Sequence, residues 1–312
     1  MKKKIKIVVI ALLLLLSTGC TKTLKDGKTA VTNEKTGQTL TANILCQPTD
    51  EDLYKKYEEY NDKLTVNLED LPTCKSFSPG KLEYKGLWET IFIKPLAFLI
   101  LKLGYLIKNM GVSVMLIGLL IRLIMLPIQI KSVIQTENMK KAQPELQKIE
   151  TKYKNRTDNE SLMAKSQETM MLYKKYKINP ISGCLLAFIQ LPLFFAFLEA
   201  INRVPAIFEG TFLTMNLGMT PVTGISQKNY IYIILIILII VTTFLSFKNS
   251  MKSQEQTSEM ADQMKMMSIF MIVMVSVASL SLPTAIALYW IVTNGFAVIQ
   301  NFIIKRIIEK RK

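Results

Sequence analysis

Arg122 is the residue whose position most constrains the chemistry of this chain. It lies at the middle of the apolar stretch GVSVMLIGLLIRLIMLPIQI, residues 111–130, which is long enough to cross a bilayer. A charged side chain at the centre of a transmembrane helix costs ~2.5–3.5 kcal/mol on insertion scales. About nine residues, roughly 13 Å along an α-helix, separate Arg122 from either end of the stretch, so its side chain reaches neither interface easily.

The sequence offers Arg122 no nearby carboxylate. Glu199, close to the end of the second predicted span, is the only Asp or Glu within the predicted spans. We therefore expect Arg122 to face water, or polar groups around water, inside the protein.

Other polar side chains are predicted at similar depth. Gln190 lies eight residues into the second span, Thr293 and Asn294 lie near the middle of the fifth, and Gln129 follows Arg122 by seven residues on nearly the same helical face. Taken one by one, such residues are better explained by hydrogen bonds between neighbouring helices. Because an arginine lies at the same depth, we favour a hydrophilic groove that is open to the cytoplasm and closed on the outside.

The composition excludes several classes of function. The chain has no histidine, and its four cysteines show no CxxC spacing, so we expect no metal site and no catalytic triad. No glycine-rich phosphate loop is present, and we expect neither a cofactor nor an enzyme. The net charge of +15 comes largely from lysines and arginines beside apolar blocks, which favours a membrane over any specific nucleic acid.

The predicted fold class is an all-α polytopic membrane protein with five transmembrane helices. A span needs ~20 mostly apolar residues. The blocks that fit are 111–131, 182–202, 229–248, 264–282 and 284–304. Residues 86–110 are expected to form an amphipathic helix in the outer interface, with a sixth span as the alternative.

The basic residues predict the orientation. Residues 132–180 and the tail 305–312 carry many of them, whereas the loop 203–228 has few. The positive-inside rule then places the N-terminus outside and the C-terminus in the cytoplasm of a multi-pass cell-membrane protein.

Residues 132–180 are predicted to form a cytoplasmic helical hairpin. The turn signal NRTDNE separates two helical patterns, and Asp158 is a plausible N-cap of the second arm. Four methionines of this segment either offer an adaptable contact surface or only pack the two arms together. They are Met139, Met163, Met170 and Met171.

The N-terminus has the pattern of an export signal. Residues 1–19 begin with basic residues and continue with an apolar stretch, as in a signal peptide, and Cys20 follows as a candidate lipidated residue. The alternative is an uncleaved signal anchor, because Ser17 stands where a lipoprotein signal usually has leucine. Residues 20–85 are polar and extracytoplasmic, with a linker-like beginning and a possible short helix around residues 50–64. Cys46 and Cys74 lie here and are either bonded or reduced.

Three stretches resemble YidC-type membrane protein insertases of single-membrane bacteria. They are LIRLIMLPIQIKS, LYKKYKINPISGCLLAFIQLPLFFAFLEAI and PTAIALYWIVTNGFAVIQNFIIKR, and the resemblance covers about residues 86–306. The run from Asn179 to Pro192 is the most specific, although CLLAF departs from the family's proline after the cysteine.

The resemblance implies a function and its residues. Such proteins insert nascent membrane proteins and help them fold, without a pore or ATP, through a groove to which Arg122, Gln190 and Trp290 correspond. It also implies nascent membrane proteins as partners in the lipid bilayer, with the ribosome, targeting factors and the general secretion channel as further partners. The alternatives are a small anion transporter that uses Arg122 and a structural lipoprotein anchored in the membrane.

Overall fold

The computed structural model describes residues 21–179, 181–251, 266, 269–270 and 272–310. The signal segment 1–19 and Cys20 lie outside these residues. The chain forms two compact units. The first contains the described residues up to Leu120 together with Leu191–Ile239 and Val277–Val292. The second contains Ile121–Gln190, the described part of Ile240–Ser276, and the described residues from Thr293 onward.

Residues 21–77 form a folded domain with its own apolar core, so the prediction of a linker-like beginning is wrong. Strands β1 (Lys25–Asp26) and β2 (Thr29–Ala30) form an antiparallel pair, and helix α1 spans Glu51–Glu59, as predicted. Asp50 caps α1 by accepting a hydrogen bond from the Leu53 amide at 2.9 Å. Apolar side chains spread thinly along the sequence meet in one core: Leu24, Val31, Leu40, Ala42, Ile44, Leu53, Tyr57, Leu68 and Leu71.

A disulfide closes this domain. Cys46 and Cys74 are bonded, with their Cα atoms 4.8 Å apart and a sequence separation of 28. Both cysteines are buried. The bridge joins two segments that also pair through their backbones, since the Gln47 amide donates to the Pro72 carbonyl at 2.9 Å. The open choice between bonded and reduced cysteines is therefore settled in favour of the disulfide.

A π-helix over Glu89–Ile93 leads into α2 (Lys94–Ile107). The helix ends at Lys108, which adopts a left-handed conformation with φ 58°. Together the two segments, Glu89–Ile107, are long and apolar enough to cross a membrane. The interfacial helix and the sixth span thus both remain compatible with the structure.

The first predicted span is not one straight helix. Helix α3 spans Met110–Ile124 and α4 spans Leu126–Lys152, with a bend of 57° between them. Pro127 lies in the first turn of α4, where its missing amide is tolerated, while its ring disfavours a continuous helix through the preceding turn. The helix axis therefore changes direction at Met125.

Helices α4 and α5 (Asn159–Lys175) pack against each other as a hairpin. The predicted cap is confirmed, because Asp158 accepts a hydrogen bond from the Ser161 amide at 2.8 Å. That bond and the Ser161 side chain hold the pKa of Asp158 below its usual value. The core of the hairpin contains Ala142, Leu146, Leu172 and Ile178.

Ion pairs join the two arms. Glu145 of α4 accepts hydrogen bonds from Lys175 and from the Tyr176 hydroxyl, both at 2.7 Å, and these bonds lower the pKa of Glu145. Glu168 of α5 likewise accepts from Lys152 and, at 2.9 Å, from the Tyr153 hydroxyl. The register of the arms is therefore fixed toward both of their ends.

The remaining helices carry most of the apolar sequence. They are α6 (Ile181–Asn202), α7 (Pro205–Phe208), α8 (Pro221–Ser226), α9 (Ile231–Met251) and α10 (Thr284–Lys310), with the strand pair β3 (Thr211–Phe212) and β4 (Met215–Asn216) between α7 and α8. Residues 272–278 are also helical, and the rest of the predicted span 264–282 lies partly outside the described residues.

Within the described part of the chain, three helices are long and apolar enough to cross a membrane, or four if α3 and α4 count as one broken span. They are Glu89–Ile107, Ile231–Lys248 and Thr284–Ile308. Among the fully described residues of α6, Pro192–Asn202 forms a shorter apolar segment. The chain is therefore a mostly helical membrane protein.

Candidate functional site

Arg122 lies in the last turn of α3, three residues before the bend at Met125. It is half-buried in a helix that is otherwise wholly apolar apart from Ser113. Arg122 interacts with another group of the protein, and the expectation that it faces water or polar groups stays a prediction. Glu199 is engaged elsewhere, as described below. The α3 helix thus ends on a half-buried cation.

Gln129 lies beyond the bend, in the first turns of α4, and is buried. The prediction placed Gln129 and Arg122 on one helical face, which assumed a straight helix. Since the axis turns by 57° between them, helical periodicity no longer relates the two side chains. Both residues lie in the second unit, but they do not share a helical face as predicted.

Thr293 and Asn294 lie on α10 in the second unit. Thr293 is buried, and the Asn294 amide donates to the Thr243 hydroxyl of α9 over 3.5 Å. This long hydrogen bond supports, for Asn294, the alternative that it connects neighbouring helices. Thr243 was missed by the sequence analysis, although the pair Thr242–Thr243 interrupts an aliphatic run and marks the position.

Gln300 lies two turns further along α10 and is the most unusual polar group of this unit. Its side chain is buried, and neither its amide nitrogen nor its carbonyl oxygen has a hydrogen-bond partner among the residues that the structure describes. Leaving such groups unbonded costs ~1–3 kcal/mol each. Thr293, Ala297, Gln300 and Ile304 form one buried face of α10.

Gln190 and Trp290 are both half-buried. Gln190 lies on α6, two residues before Pro192. Trp290 belongs to the first unit, where its ring meets Phe194 edge-on with the ring centroids 5.0 Å apart. Next to it, Phe197 stacks on Tyr289 at 4.1 Å. Aromatic packing therefore surrounds Trp290, whereas Arg122, Gln129, Gln190, Thr293 and Asn294 belong to the second unit.

A buried ionic cluster in the first unit was not predicted. The Arg203 guanidinium contacts Glu89 at 2.6 Å and Glu199 at 3.1 Å, and Lys94 contacts Glu89 at 3.3 Å. The Trp88 indole also donates to Glu199 at 3.1 Å. The i,i+4 spacing of Glu199 and Arg203 was a visible signal. Two acids and two bases balance each other here, which makes their burial tolerable.

No metal site is found in the described ranges: none of their His, Cys, Asp and Glu residues form a group of three that could hold an ion. The chemistry available is therefore that of a cation, amides and hydroxyls in an apolar helical setting. Such groups bind polar segments by charge and hydrogen bonding.

Comparison with known proteins identifies the family. Residues 102–311 match the family model described as 60Kd inner membrane protein. The "Membrane protein insertase YidC" of Oceanobacillus iheyensis is 34% identical over 228 residues, which cover 73% of this chain and 87% of that protein. "Membrane protein insertase YidC 2" of Bacillus anthracis is 35% identical over 70% of this chain and 82% of its own length.

A third relative, "Membrane protein insertase MisCA" of Bacillus subtilis, is 36% identical over 58% of this chain and 64% of its own length. The family model covers about two thirds of the chain, including α3, α4, α5 and α10, which carry Arg122, the hairpin and the polar face of the last helix. On this evidence the chain belongs to the 60Kd inner membrane protein family of YidC-type membrane protein insertases.

Proposed function

We propose that this protein inserts nascent membrane proteins into the bilayer and helps them fold. The observation that carries the proposal is Arg122, a half-buried cation at the end of an apolar helix, within the region that the insertase family shares. A charged side chain in an apolar helix raises the free energy of membrane insertion, so its presence indicates a functional role. We assign it the attraction of the polar or acidic flank of an incoming segment.

The groove of this proposal is lined by Arg122, Gln129, Gln190, Thr293, Asn294 and Trp290. What supports it is that all but Trp290 lie in one compact unit, where each is half-buried or buried. Polar side chains there replace part of the hydration that a translocated polar segment loses. The side-chain amide of Gln300, which has no hydrogen-bond partner within the described ranges, adds a donor and an acceptor to the same unit.

The proposed arrangement has five spans, the α4–α5 hairpin in the cytoplasm and residues 21–85 outside. The hairpin carries the basic residues expected of a cytoplasmic segment, and the disulfide suits an oxidising exterior. Single cysteines at 155 and 310 should resist an impermeant thiol reagent in intact cells, and one at 213, an exposed position of the loop 203–228, should react. Labelling at 155 from outside would reverse the orientation.

Cys20 is proposed to carry the lipid anchor after removal of residues 1–19. A Cys20→Ser variant should then lose labelling by a fatty-acid probe and keep its signal segment. Unchanged labelling and mass would instead indicate a signal anchor.

Nascent membrane proteins are the proposed substrates, and the ribosome, targeting factors and secretion channel are proposed partners on the cytoplasmic side. The exposed methionines of α5 support a contact role for the hairpin. Met163, Met170 and Met171 are exposed, whereas Met139 packs against the hairpin core. The alternative of internal packing therefore applies to Met139 alone.

The deciding experiment uses purified protein in vesicles and single-span substrates with either acidic or neutral short tails. Arg122→Ala should lose the acidic-tail substrate while a strongly hydrophobic neutral one still inserts, and Arg122→Lys should retain much of the activity. Arg156→Ala, at an exposed position in the hairpin turn, is the matched control and should behave like the parent protein.

Two outcomes contradict this role of Arg122. If lysine is as defective as alanine on acidic tails, charge alone is not what the position supplies. If Arg122→Ala lowers the melting temperature of the whole protein sharply, the contact that Arg122 makes is chiefly structural. Failure of the parent protein to insert either substrate would contradict the insertase function itself.

A further inference from the structure

The first described residues of the chain are hydrogen-bonded to a second extended segment of the same domain. The Ala42 amide donates to the Lys22 carbonyl at 2.6 Å, and the Leu24 amide donates to the Leu40 carbonyl at 2.8 Å. Leu24 is also fully buried in the core of the domain. The chain is therefore held in place from Lys22 onward, with no free linker between this residue and the domain.

Asn43 joins this start of the chain to the end of helix α6. Its side-chain carbonyl accepts a hydrogen bond from the Lys22 amide at 3.0 Å, and its backbone carbonyl accepts one from Nε of Arg203 at 2.6 Å. Two residues further on, the Leu45 amide donates to the Arg203 carbonyl at 2.8 Å. Arg203 directly follows α6, which ends at Asn202. A single residue thus bridges Lys22 and Arg203.

Arg203 is itself fixed in the buried ionic cluster of the first unit. Its guanidinium contacts Glu89 at 2.6 Å and Glu199 at 3.1 Å, and only 3% of the residue is exposed. Moving Arg203 away from these carboxylates would leave buried charges uncompensated, which is strongly destabilising. The start of the chain is therefore docked on a point of the first unit that does not move easily.

An apolar surface is exposed on the chain segment that contributes Trp88 and Glu89 to this cluster. Tyr84, Leu87 and Ile91 are each more than half exposed. Leu87 and Ile91 are four positions apart on a helical stretch, so they lie on the same side of it. Exposed apolar surface of this kind marks contact with a membrane or another apolar partner. This supports the placement of the cluster, and of the chain start docked on it, at the surface of the bilayer.

From these contacts we propose that the lipid on Cys20 fastens the domain of residues 21–77 onto Arg203, rather than serving as a loose tether for the protein. Cys20 precedes Lys22 by two positions, so even a fully extended chain separates their Cα atoms by at most about 7 Å. The acyl chains must then enter the bilayer within a short distance of the Lys22–Asn43–Arg203 contacts. This inference rests on the proposed lipidation of Cys20.

The short connection couples the lipid to the docking of the domain. If the domain left Arg203, it would carry Lys22 with it, and the acyl chains would be drawn partly out of the bilayer. Each methylene group withdrawn lowers the population of the undocked domain about fourfold, the equivalent of ~0.8 kcal/mol. The lipid therefore stabilises the docked domain only while the connection to Lys22 stays short.

Lengthening the connection tests this coupling without removing the lipid. Six glycine and serine residues inserted between Cys20 and Thr21 add a flexible reach of roughly 13 Å. If the signal segment is not removed from that variant, the same insertion between Thr21 and Lys22 leaves the residue after Cys20 unchanged and takes its place. The matched control carries the six residues after Gly27, in the turn between β1 and β2, where nothing lies within 4 Å of the Cβ position.

The measurement is amide hydrogen exchange of the full chain in phospholipid vesicles, with labelling by a fatty-acid probe to show that each variant is lipidated. The Leu45 amide reports docking because it donates to Arg203, and the Leu40 amide reports the interior of the domain because it donates to Val31. The longer connection should lower the protection of Leu45 at least about fourfold and leave that of Leu40 unchanged. The insertion after Gly27 should change neither.

Two outcomes would overturn the proposal. They are unchanged protection of Leu45 in a lipidated variant with the longer connection, and an equal loss of protection from the insertion after Gly27. Absence of the fatty-acid label from the parent protein would instead contradict the lipidation of Cys20 itself. The insertase function is tested by the vesicle insertion of single-span substrates described above, so the failures are distinguishable.

Discussion

The Cys46–Cys74 disulfide should supply a large part of the stability of the domain formed by residues 21–77. Closing a loop between cysteines separated by 28 residues lowers the entropy of the unfolded domain, which is worth ~3.5 kcal/mol in the chain-entropy treatment. Because 1.4 kcal/mol corresponds to a factor of ten, the population of the opened domain should rise about 300-fold in a Cys46→Ala/Cys74→Ala variant.

Hydrogen exchange measures this change at defined amides. The Leu24, Val31 and Leu40 amides each donate to a backbone carbonyl within the domain at 2.8–2.9 Å, so they exchange when the domain opens. Their protection should fall by about the same 300-fold factor, while amides of α10 keep theirs. Cys184→Ala removes a cysteine outside the domain and is the control. Unchanged protection of the three amides in the double variant would refute the loop-entropy reasoning.

Two further predictions concern titration and packing. Burial raises the pKa of Tyr57 above its ordinary value, so the folded domain keeps this phenol protonated at a pH where the unfolded chain ionises it. The free energy of unfolding should therefore fall as the pH rises above about 10. In urea unfolding, Tyr57→Phe should remove the contribution of this residue to that pH dependence. Leu172→Ala should destabilise the hairpin by ~2–5 kcal/mol, measured as faster amide hydrogen exchange in α5. Met171→Ala, at the exposed neighbouring position, should change the stability of the hairpin by no more than about 0.5 kcal/mol. A pH profile that is the same with phenylalanine, or equal effects of the two hairpin substitutions, would contradict these assignments.

Features with local causes were predictable from the sequence. The hairpin, the capping of its second arm by Asp158 and the short helix Glu51–Glu59 each depend on residues a few positions apart. Long apolar runs likewise indicate helices such as α9 and α10 wherever they occur. The family resemblance was carried by equally short motifs, and the comparisons confirm it.

Features that join distant segments were not predictable in the same way. The core of the domain formed by residues 21–77 gathers residues from Leu24 to Leu71 out of a largely polar sequence, with no regular period to mark them. The Glu89–Arg203 ion pair joins residues more than a hundred positions apart. The bend at Met125 had a local signal in Pro127, but a proline in the first turn of a helix is equally compatible with a plain helix start.

Of the candidate site, the residue types could be chosen from the sequence, and their partners could not. Asn294 has a hydrogen-bonding partner, Thr243, on α9, in which the sequence analysis singled out no residue. Arg122 likewise has an interaction with the rest of the protein that the sequence did not identify. Side-chain pairing across helices depends on their rotation about their axes, which a single sequence does not specify.

The bend at Met125 also determines the direction in which the hairpin extends from α3. Helix α4 is 27 residues long, so the hairpin tip lies about 40 Å along the helix from the bend. If α4 moved as one body, a change of about 10° in the bend angle would displace the tip by about 7 Å. The angle at Met125 therefore determines the position of the hairpin tip more strongly than that of any residue beside Arg122.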